Sequence, residues 1–368
     1  MKKILVVLLT LGMLCGCQNK KDDNVVRIAC NLPMTGDCAI YGESVKNGYE
    51  MALSDLDIFL KKNDIRVEID YQDNKCSNKE ALTIAQKQLM RKNDIYVSGI
   101  TQQTYTIEEK VTQQGIPHFI WSFYPLLMGN GKNMVRTWVN LPSEPFLFKE
   151  YLESKPNAKK IACVYLNAAS GVDLFNKIFI PLIESDYEIV YNEAFDIEGT
   201  NFKNVALKVK KTNPDVIFVN GFQNHIIQLA KEFNNNAMKK DGNIVFTFDL
   251  LDAMNDVESH VLNGYVANIP EYIVNPTSEF LEWKFRYKEI YSREPNYTDA
   301  YAYDCMHVIC NALAQHKNDS IKKNLLNYIQ DTELPGITGL LTFEKNGNLN
   351  SQSKICIVDE GKLIPINM

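Results

Sequence analysis

The alternation of short apolar runs with amphipathic helical segments constrains the fold of this chain most. Strands are predicted at Val25–Leu32, Arg66–Asp73 and residues 95–98, and helices between them at residues 41–63 and 78–91. Strand–helix–strand repeats of this kind build parallel sheets with helices on both faces. The predicted fold class is therefore α/β.

A second series begins after residue 142. It opens with a strand at Lys160–Leu166 and alternates with helices as far as a strand at residues 264–269. Because one domain takes roughly 100–200 residues, a chain of 368 residues is expected to form two Rossmann-like lobes with parallel central sheets. Two long helical stretches and hairpin-like segments follow, up to residue 366.

The charge balance bears on the partners. The chain has 39 Lys and Arg against 45 Asp and Glu, which gives a net charge of -6. No overall positive field is available to attract a phosphate backbone, so nucleic acid is not expected as a partner. The hydrophobic content of 45% is ordinary for a folded globular protein.

The N-terminus has the pattern of an export signal. Lys2 and Lys3 precede an apolar run at residues 4–14, which is too short to span a bilayer. The following Leu-Cys-Gly-Cys resembles the bacterial lipobox. Residues 1–16 are thus expected to be a lipoprotein signal peptide, Cys17 the lipidated residue and residues 17–24 a polar linker, which would tether the exported protein to the bacterial cell membrane. An uncleaved anchor and an ordinary secretory signal are the alternatives.

The cysteines do not suggest a metal site. No CxxC pair or Cys/His cluster with zinc spacing occurs. Cys30, Cys163 and Cys356 lie in apolar strand-like runs, where buried free thiols are expected. Only Cys38 and Cys76, both in loop-like stretches, could pair, and the sequence gives that pairing little support.

The usual catalytic motifs are missing as well. The sequence contains no GxSxG, HExxH, Walker GxxxxGK or GxGxxG motif, and its five histidines are scattered. We therefore expect a protein that is not an enzyme and that needs no cofactor.

Polar and aromatic side chains follow the predicted strands, at the edge where open α/β sheets bind ligands. They combine hydroxyls, amides and aromatic rings with one carboxylate, which suits a small zwitterion or a polar ligand with an apolar part. These candidate site residues are Tyr41, Thr101, Gln102, Gln103, Ser122, Tyr124, Ser170, Phe222 and Asp249.

Several segments resemble the periplasmic branched-chain amino-acid binding proteins, in an order kept across most of residues 25–366. They are PMTG at 33–36, YGESVKNGYEMAL at 41–53, YQDNKCSNKEA at 71–81, GIP at 115–117, NPDVIFVNGF at 213–222, YTDAYAYD at 297–304 and ITGLLTFEKNGN at 337–348.

This resemblance implies a type I periplasmic binding protein, in which two lobes joined by a three-crossover hinge close on a ligand. Lobe I would comprise residues 25–141 plus 270–338, and lobe II residues 142–269 plus 339–368. The function implied is that of a solute-binding protein of an ABC importer that captures a branched-chain-like amino acid or a related solute and delivers it to a membrane permease.

The resemblance also implies roles for the candidate residues. Groups after the third and fourth strands of lobe I would hold the ligand carboxylate, an acid of lobe II its ammonium, and aromatic rings its side chain. The matching positions are Thr101, Gln102, Gln103, Ser122 and Tyr124 for the carboxylate, Asp249 for the ammonium, and Tyr41, Phe222 and Tyr272 for the walls.

The chain departs from the family pattern at two of these places. Thr101–Gln103 replace a usual pair of serines, and Ser170 stands where a tyrosine wall is common. The family's disulfide partner for Cys76, near residues 100–101, is also missing.

Simpler roles remain open for each candidate. Asp249 and Thr101 could cap helices. The loop residues Ser122 and Tyr124 could have no role in binding. The aromatic residues could belong to the core. Two other functions also remain open: a sensor of the same fold that signals to a membrane partner, and an exported hydrolase that uses an acid such as Asp249.

Overall fold

The computed structural model describes residues 24–36, 38–122, 133–139, 143–196, 201–238, 242–254, 256–315 and 321–368, except for the side chains of residues 321–324 and 326. The expected signal peptide, Cys17 and Tyr124 lie outside these described residues. None of the helices within them combines the length and the apolar character that crossing a bilayer requires.

The first sheet is parallel and has five strands in the order β2-β1-β3-β4-β5. Its central strands are buried because helices cover both faces. Its strands are β1 (Val25–Leu32), β2 (Arg66–Asp73), β3 (Ile95–Gly99), β4 (His118–Trp121) and β5 (Met134–Val135). The helices between them are α1 (Ala39–Asp55), α2 (Asp57–Lys62), α3 (Asn78–Leu89) and α4 (Thr101–Gln113).

The second sheet has seven strands in the order β14-β13-β10-β9-β8-β6-β7, and β13 alone runs antiparallel to the others, between β10 and β14. Its strands are β6 (Lys160–Leu166), β7 (Glu188–Phe195), β8 (Val216–Val219), β9 (Ile244–Phe246), β10 (Val266–Pro270), β13 (Ser353–Asp359) and β14 (Lys362–Pro365). Its helices are α5 (Glu144–Glu153), α6 (Ala169–Asp173), a π-helical stretch at Leu174–Phe179, α7 (Ile180–Ile183), α8 (Phe202–Thr212), α9 (Gln223–Asn235), α10 (Leu250–Met254) and α11 (Ser259–Leu262). The expected α/β fold with two lobes is confirmed.

The C-terminal third returns to the first sheet. It contains α12 (Glu271–Val274), α13 (Ser278–Tyr291), α14 (Tyr297–Gln315), α15 (Ile321–Gln330) and a hairpin of β11 (Leu334–Gly336) and β12 (Gly339–Leu341). Most of its buried side chains share one core with those of β1 and α1.

Apart from Phe248, which packs into the core of the first lobe, the described chain passes from one core to the other at three places. The changes fall between residues 139 and 148, between 269 and 272, and between 349 and 355. Leu341 and Phe343 belong to the core of the first lobe, although the sequence assigned residues 339–368 to the second. The reason is that β12 pairs with β11, which holds this stretch beside the first sheet.

The one cysteine pairing that the sequence left possible is formed, although little in the sequence supported it. A disulfide joins Cys38 to Cys76, so the loop before α1 is tied to the loop before α3. Cys30, Cys163 and Cys356 are free and buried, as expected.

Helices α1 and α14 pack closely because α1 carries a glycine at the contact. A methyl group at Gly48 would lie 2.5 Å from the backbone oxygen of Asp299 and 2.6 Å from Cβ of Ala302. Real side chains do not approach backbone that closely, so any larger residue must push the two helices apart.

We predict that Gly48→Ala lowers the free energy of unfolding by about 1–3 kcal/mol, because overpacking outweighs the gain in helix propensity. Urea unfolding measures the difference. Ser54→Ala, on the exposed end of the same helix, should stay within about 0.5 kcal/mol of the wild type. A Gly48→Ala protein as stable as the wild type would contradict the close contact.

Candidate functional site

Segments that follow strands of the two sheets meet at one junction between the lobes, here called the cleft. Both sheets place the first strand of the series between the second and the third, so each has a switch point where loops diverge. Helix α4, which follows β3, contacts α6, which follows β6. Ala169 of α6 packs against Ile120 and Met134 of the first lobe.

Asp249 is the central acid of the second lobe. It follows β9, and only 2% of its surface is exposed. Its Oδ2 accepts hydrogen bonds from Thr247 Oγ1 at 2.6 Å and from Asn220 Nδ2 at 3.4 Å. Burial raises the pKa of this carboxyl to about 8, although the Thr247 hydroxyl lowers it.

Two acceptor oxygens near Asp249 make no hydrogen bond among the described residues. They are Oδ1 of Asp249 and Oδ1 of Asn220. Both residues line a narrow cavity that is too small in this structure to hold a water molecule, together with Leu166, Ser170, Gly221 and Phe222. Buried acceptors of this kind normally have a partner, so the cavity suits a ligand with N–H donors.

Hydroxyl groups meet on the first-lobe side. Ser122 Oγ donates to Thr101 Oγ1 at 3.3 Å, and both side chains are buried. Thr101 starts α4, but the N-cap residue is Ile100, so the capping alternative for Thr101 is wrong. Ile100 has φ 64°, which is strained for a β-branched residue and is typical of positions held by their surroundings.

The two glutamines that follow point elsewhere. Gln102 is exposed. Gln103 Nε2 donates to the carbonyl oxygen of Cys76 and to Oδ1 of Asn78, both at 2.9 Å. Gln103 therefore holds the loop before α3, and its role in ligand binding remains a prediction.

Two tyrosines of the first lobe reach across to one carboxylate of the second. Tyr41 Oη donates to Asp252 Oδ2 at 3.0 Å, and Tyr297 Oη donates to the same oxygen at 2.9 Å. Burial raises the pKa of the Asp252 carboxyl to about 6, and the two phenols lower it. These hydrogen bonds exist only when the lobes are together.

An aromatic cluster lies at the same junction. Trp138 stacks on Tyr297 with ring centroids 6.0 Å apart. Phe248 of the second lobe meets Trp138 at 6.1 Å and Tyr297 at 5.3 Å, edge to face. Closure therefore buries apolar rings as well as polar groups.

The residues predicted to form aromatic walls of the site lie in different parts of the structure. Phe222 borders the cavity beside Asp249. Tyr272 packs instead on Phe280 and Tyr301, in the core of the first lobe. Tyr124 lies outside the described residues.

Sequence reasoning missed several residues that shape the cleft, namely Trp138, Thr247, Asp252 and Tyr297. Two weak signals were available. Asp252 lies three residues after Asp249, on the same face if a helix follows. Tyr297 opens the YTDAYAYD segment.

The site offers charged and polar groups to a ligand from both lobes. Within the described ranges, no group of three or more His, Cys, Asp and Glu residues could hold a metal ion. Asp249 offers an acceptor to a cation, and the hydroxyls of Thr101 and Ser122 on the first lobe can serve an anion.

Comparisons with known proteins agree with this geometry. The chain is 24% identical over 232 residues to the Leu/Ile/Val-binding protein of Citrobacter freundii, and the match covers 60% of this chain and 62% of that relative.

Among solved structures, the fold is similar to LivJ of Streptococcus pneumoniae, a branched-chain amino acid transporter substrate binding protein in complex with isoleucine. Its TM-score is 0.78 at 21% identity, over 92% of this chain and 97% of that one. A solute binding protein of an ABC transporter from Rhodopseudomonas palustris, in complex with 3,4-dihydroxybenzoic acid, has a TM-score of 0.79 at 18% identity, over 93% and 96%.

The family comparison covers nearly the whole described chain. A family model described as periplasmic binding protein matches residues 25–361. That span contains the first sheet, the second sheet except β14, the cleft between the lobes and all the acids discussed above. The chain belongs to the periplasmic binding protein family.

Proposed function

We propose that this chain is the solute-binding protein of an ABC importer and that it captures an amino acid with an apolar side chain by closure of its two lobes. The observation that carries the proposal is the pair of unpartnered acceptors, Asp249 Oδ1 and Asn220 Oδ1, in one cavity. An ammonium group supplies the N–H donors and the positive charge that this wall lacks.

The first lobe supplies groups that suit the other end of an amino acid. Thr101 and Ser122 bring two hydroxyls to the start of α4. A helix N-terminus favours a negative charge, so a carboxylate is the expected group there. A zwitterion then bridges the lobes, with its anion on the first and its cation on the second.

The acid also distinguishes between the ligands of the similar structures. One of those proteins is in complex with isoleucine and another with 3,4-dihydroxybenzoic acid. A benzoate has no cation to offer Asp249, so the acid would have to stay protonated beside it, whereas an ammonium group pairs with the ionised carboxylate. We therefore propose an amino acid, which is released unaltered to a permease.

The direct test is a thermal-shift screen of the twenty L-amino acids, 4-hydroxybenzoate and 3,4-dihydroxybenzoate. A ligand that binds only the folded protein stabilises it by RT ln(1 + [L]/Kd). We expect aliphatic amino acids to raise the melting temperature and the benzoates to leave it unchanged. Stabilisation by benzoates alone would contradict the proposal.

Asp249→Asn tests the ammonium site. We expect the Kd for the best amino acid of the screen to rise at least about thirtyfold, because removing the charge of a buried ion pair costs roughly 2–5 kcal/mol. The empty protein should melt at the same temperature or higher, because the variant no longer buries an acid. Calorimetric titration and thermal melting measure the two effects, and retained affinity would exclude the ammonium role.

Tyr297→Phe tests closure. The variant loses a hydrogen bond to the Asp252 carboxylate that only the closed form makes. We expect a loss of about 1–2 kcal/mol, or a five- to thirtyfold higher Kd. The matched control is Tyr191→Phe, which removes a phenol–carboxylate bond to Glu193 within the second lobe and should leave the Kd unchanged. Equal effects of the two variants would mean that the Asp252 contact does not stabilise closure.

The lipid anchor at Cys17 is part of the proposal. We expect the protein made in bacteria to incorporate a clickable palmitate analogue and to sediment with membranes. Cys17→Ser should abolish both. Lipid labelling that survives this substitution would contradict the assignment.

A further inference from the structure

Glu144 is a buried acid that the binding scheme above does not use. It is the first residue of α5, just after the chain crosses from the first lobe to the second, and its exposure is 0%. Such a residue is rarely fully buried unless its carboxyl has a structural or functional task.

The carboxyl of Glu144 joins three parts of the molecule. Its Oε1 accepts the backbone N–H of Phe248 at 3.0 Å and the side-chain amide of Asn268 at 3.4 Å. Phe248 immediately precedes Asp249. Asn268 lies in β10, two residues before that strand ends at the second crossing. Glu144 thus connects the first two crossings between the lobes to the segment that carries Asp249.

The other oxygen of Glu144 has no such role. Its Oε2 makes no hydrogen bond within the described chain. Burial, and to a smaller extent the negative charge of Asp249, raise the pKa of this carboxyl to about 8, although the Phe248 N–H and the Asn268 amide lower it.

The charged groups on the neighbouring elements are engaged elsewhere. Lys177 pairs with Asp173, and Lys354 of β13 pairs with Glu271. On the far side of Asp249, the nearest titratable groups are Asp252 and the two phenols bonded to it. The acids near Asp249 therefore reinforce one another's neutral forms.

We propose that Glu144 is a positioning residue for the ligand site: it holds the Phe248–Asp249 segment against the two crossings and couples its own charge to that of Asp249. The first role needs only an acceptor at Oε1, which an amide supplies equally well. The second role needs an ionisable group, so the two roles can be separated by substitution.

The coupling has a measurable consequence. Where Asp249 is ionised before the ligand binds, the ammonium group offsets the charge that keeps Glu144 protonated, so part of the Glu144 proton leaves. Where Asp249 is protonated before binding, it loses its own proton instead. The wild type therefore releases more protons than a variant that cannot ionise at position 144.

The experiment is calorimetric titration with L-isoleucine of the wild type, Glu144→Gln and Glu144→Ala, in buffers of different ionisation enthalpy at pH 7 and 8. We expect Glu144→Gln to bind within threefold of the wild type at pH 7, because its amide oxygen can still accept from Phe248. Glu144→Ala should bind at least tenfold more weakly. At pH 8, Glu144→Gln should release fewer protons than the wild type.

Two outcomes would overturn the proposal. One is equal affinity of the amide and alanine variants. The other is equal proton release by the wild type and Glu144→Gln. Glu150→Gln, on the exposed face of the same helix, is the matched control and should behave as the wild type.

The inference about Glu144 rests on the proposed function. A measurement without ligand therefore tests the role of Glu144 separately from the identity of the ligand. If the wild type does not bind L-isoleucine, it is the proposed ligand that fails. Glu144 is then tested by urea unfolding of the empty wild type, Glu144→Gln, Asp249→Asn and the double variant at pH 6 and 8.5.

The sign of the ligand-free effect follows from the raised pKa. A buried acid binds more protons in the folded than in the unfolded state, so stability falls as pH rises from the unfolded pKa through the folded one. We expect Glu144→Gln to reduce this fall, and to reduce it less when Asp249 is already Asn. Strict additivity of the two substitutions would overturn the coupling.

Discussion

The closed cleft depends on a buried carboxylate whose charge the described chain does not balance with a cation. Asp249 accepts from Thr247 and Asn220 through one oxygen and has no partner for the other. In a low-dielectric site an unpaired charge is costly, so the acid is either protonated or paired. In the function we propose, the ammonium of the solute is the partner that makes the closed, ionised state favourable.

The short segment from Phe248 to Asp252, which follows β9 and enters α10, makes the contacts on which closure depends. Phe248 meets the aromatic rings of the first lobe, Asp249 faces the cavity, and Asp252 receives the phenols of Tyr41 and Tyr297. Because five consecutive residues carry all three contacts, the position of this segment matters more than any one of its side chains. A buried acid that holds the segment in place, as we propose for Glu144, would therefore affect all three contacts.

The residues next to strand ends could be predicted because sequence neighbours share a local environment. Asp249, Ser170 and Phe222 border one cavity, as expected from their places after β9, β6 and β8. Gln103 could not be placed this way. Its side-chain direction depends on where α3 and its preceding loop lie, and those are positioned by the disulfide and the packing of the sheet.

The alternation of strands and helices, and with it the α/β class, was determined by the sequence alone because apolar periodicity is a local property of the chain. The short helices α10, α11 and α12 were not predicted, because four or five residues are too few to show a helical periodicity. Only the tertiary structure decided which side chains meet across the cleft. Tyr41 and Asp252 are 211 positions apart, and Glu144 and Phe248 are 104 apart. Whether an acid is buried, and therefore whether it keeps its proton, depends on such distant neighbours.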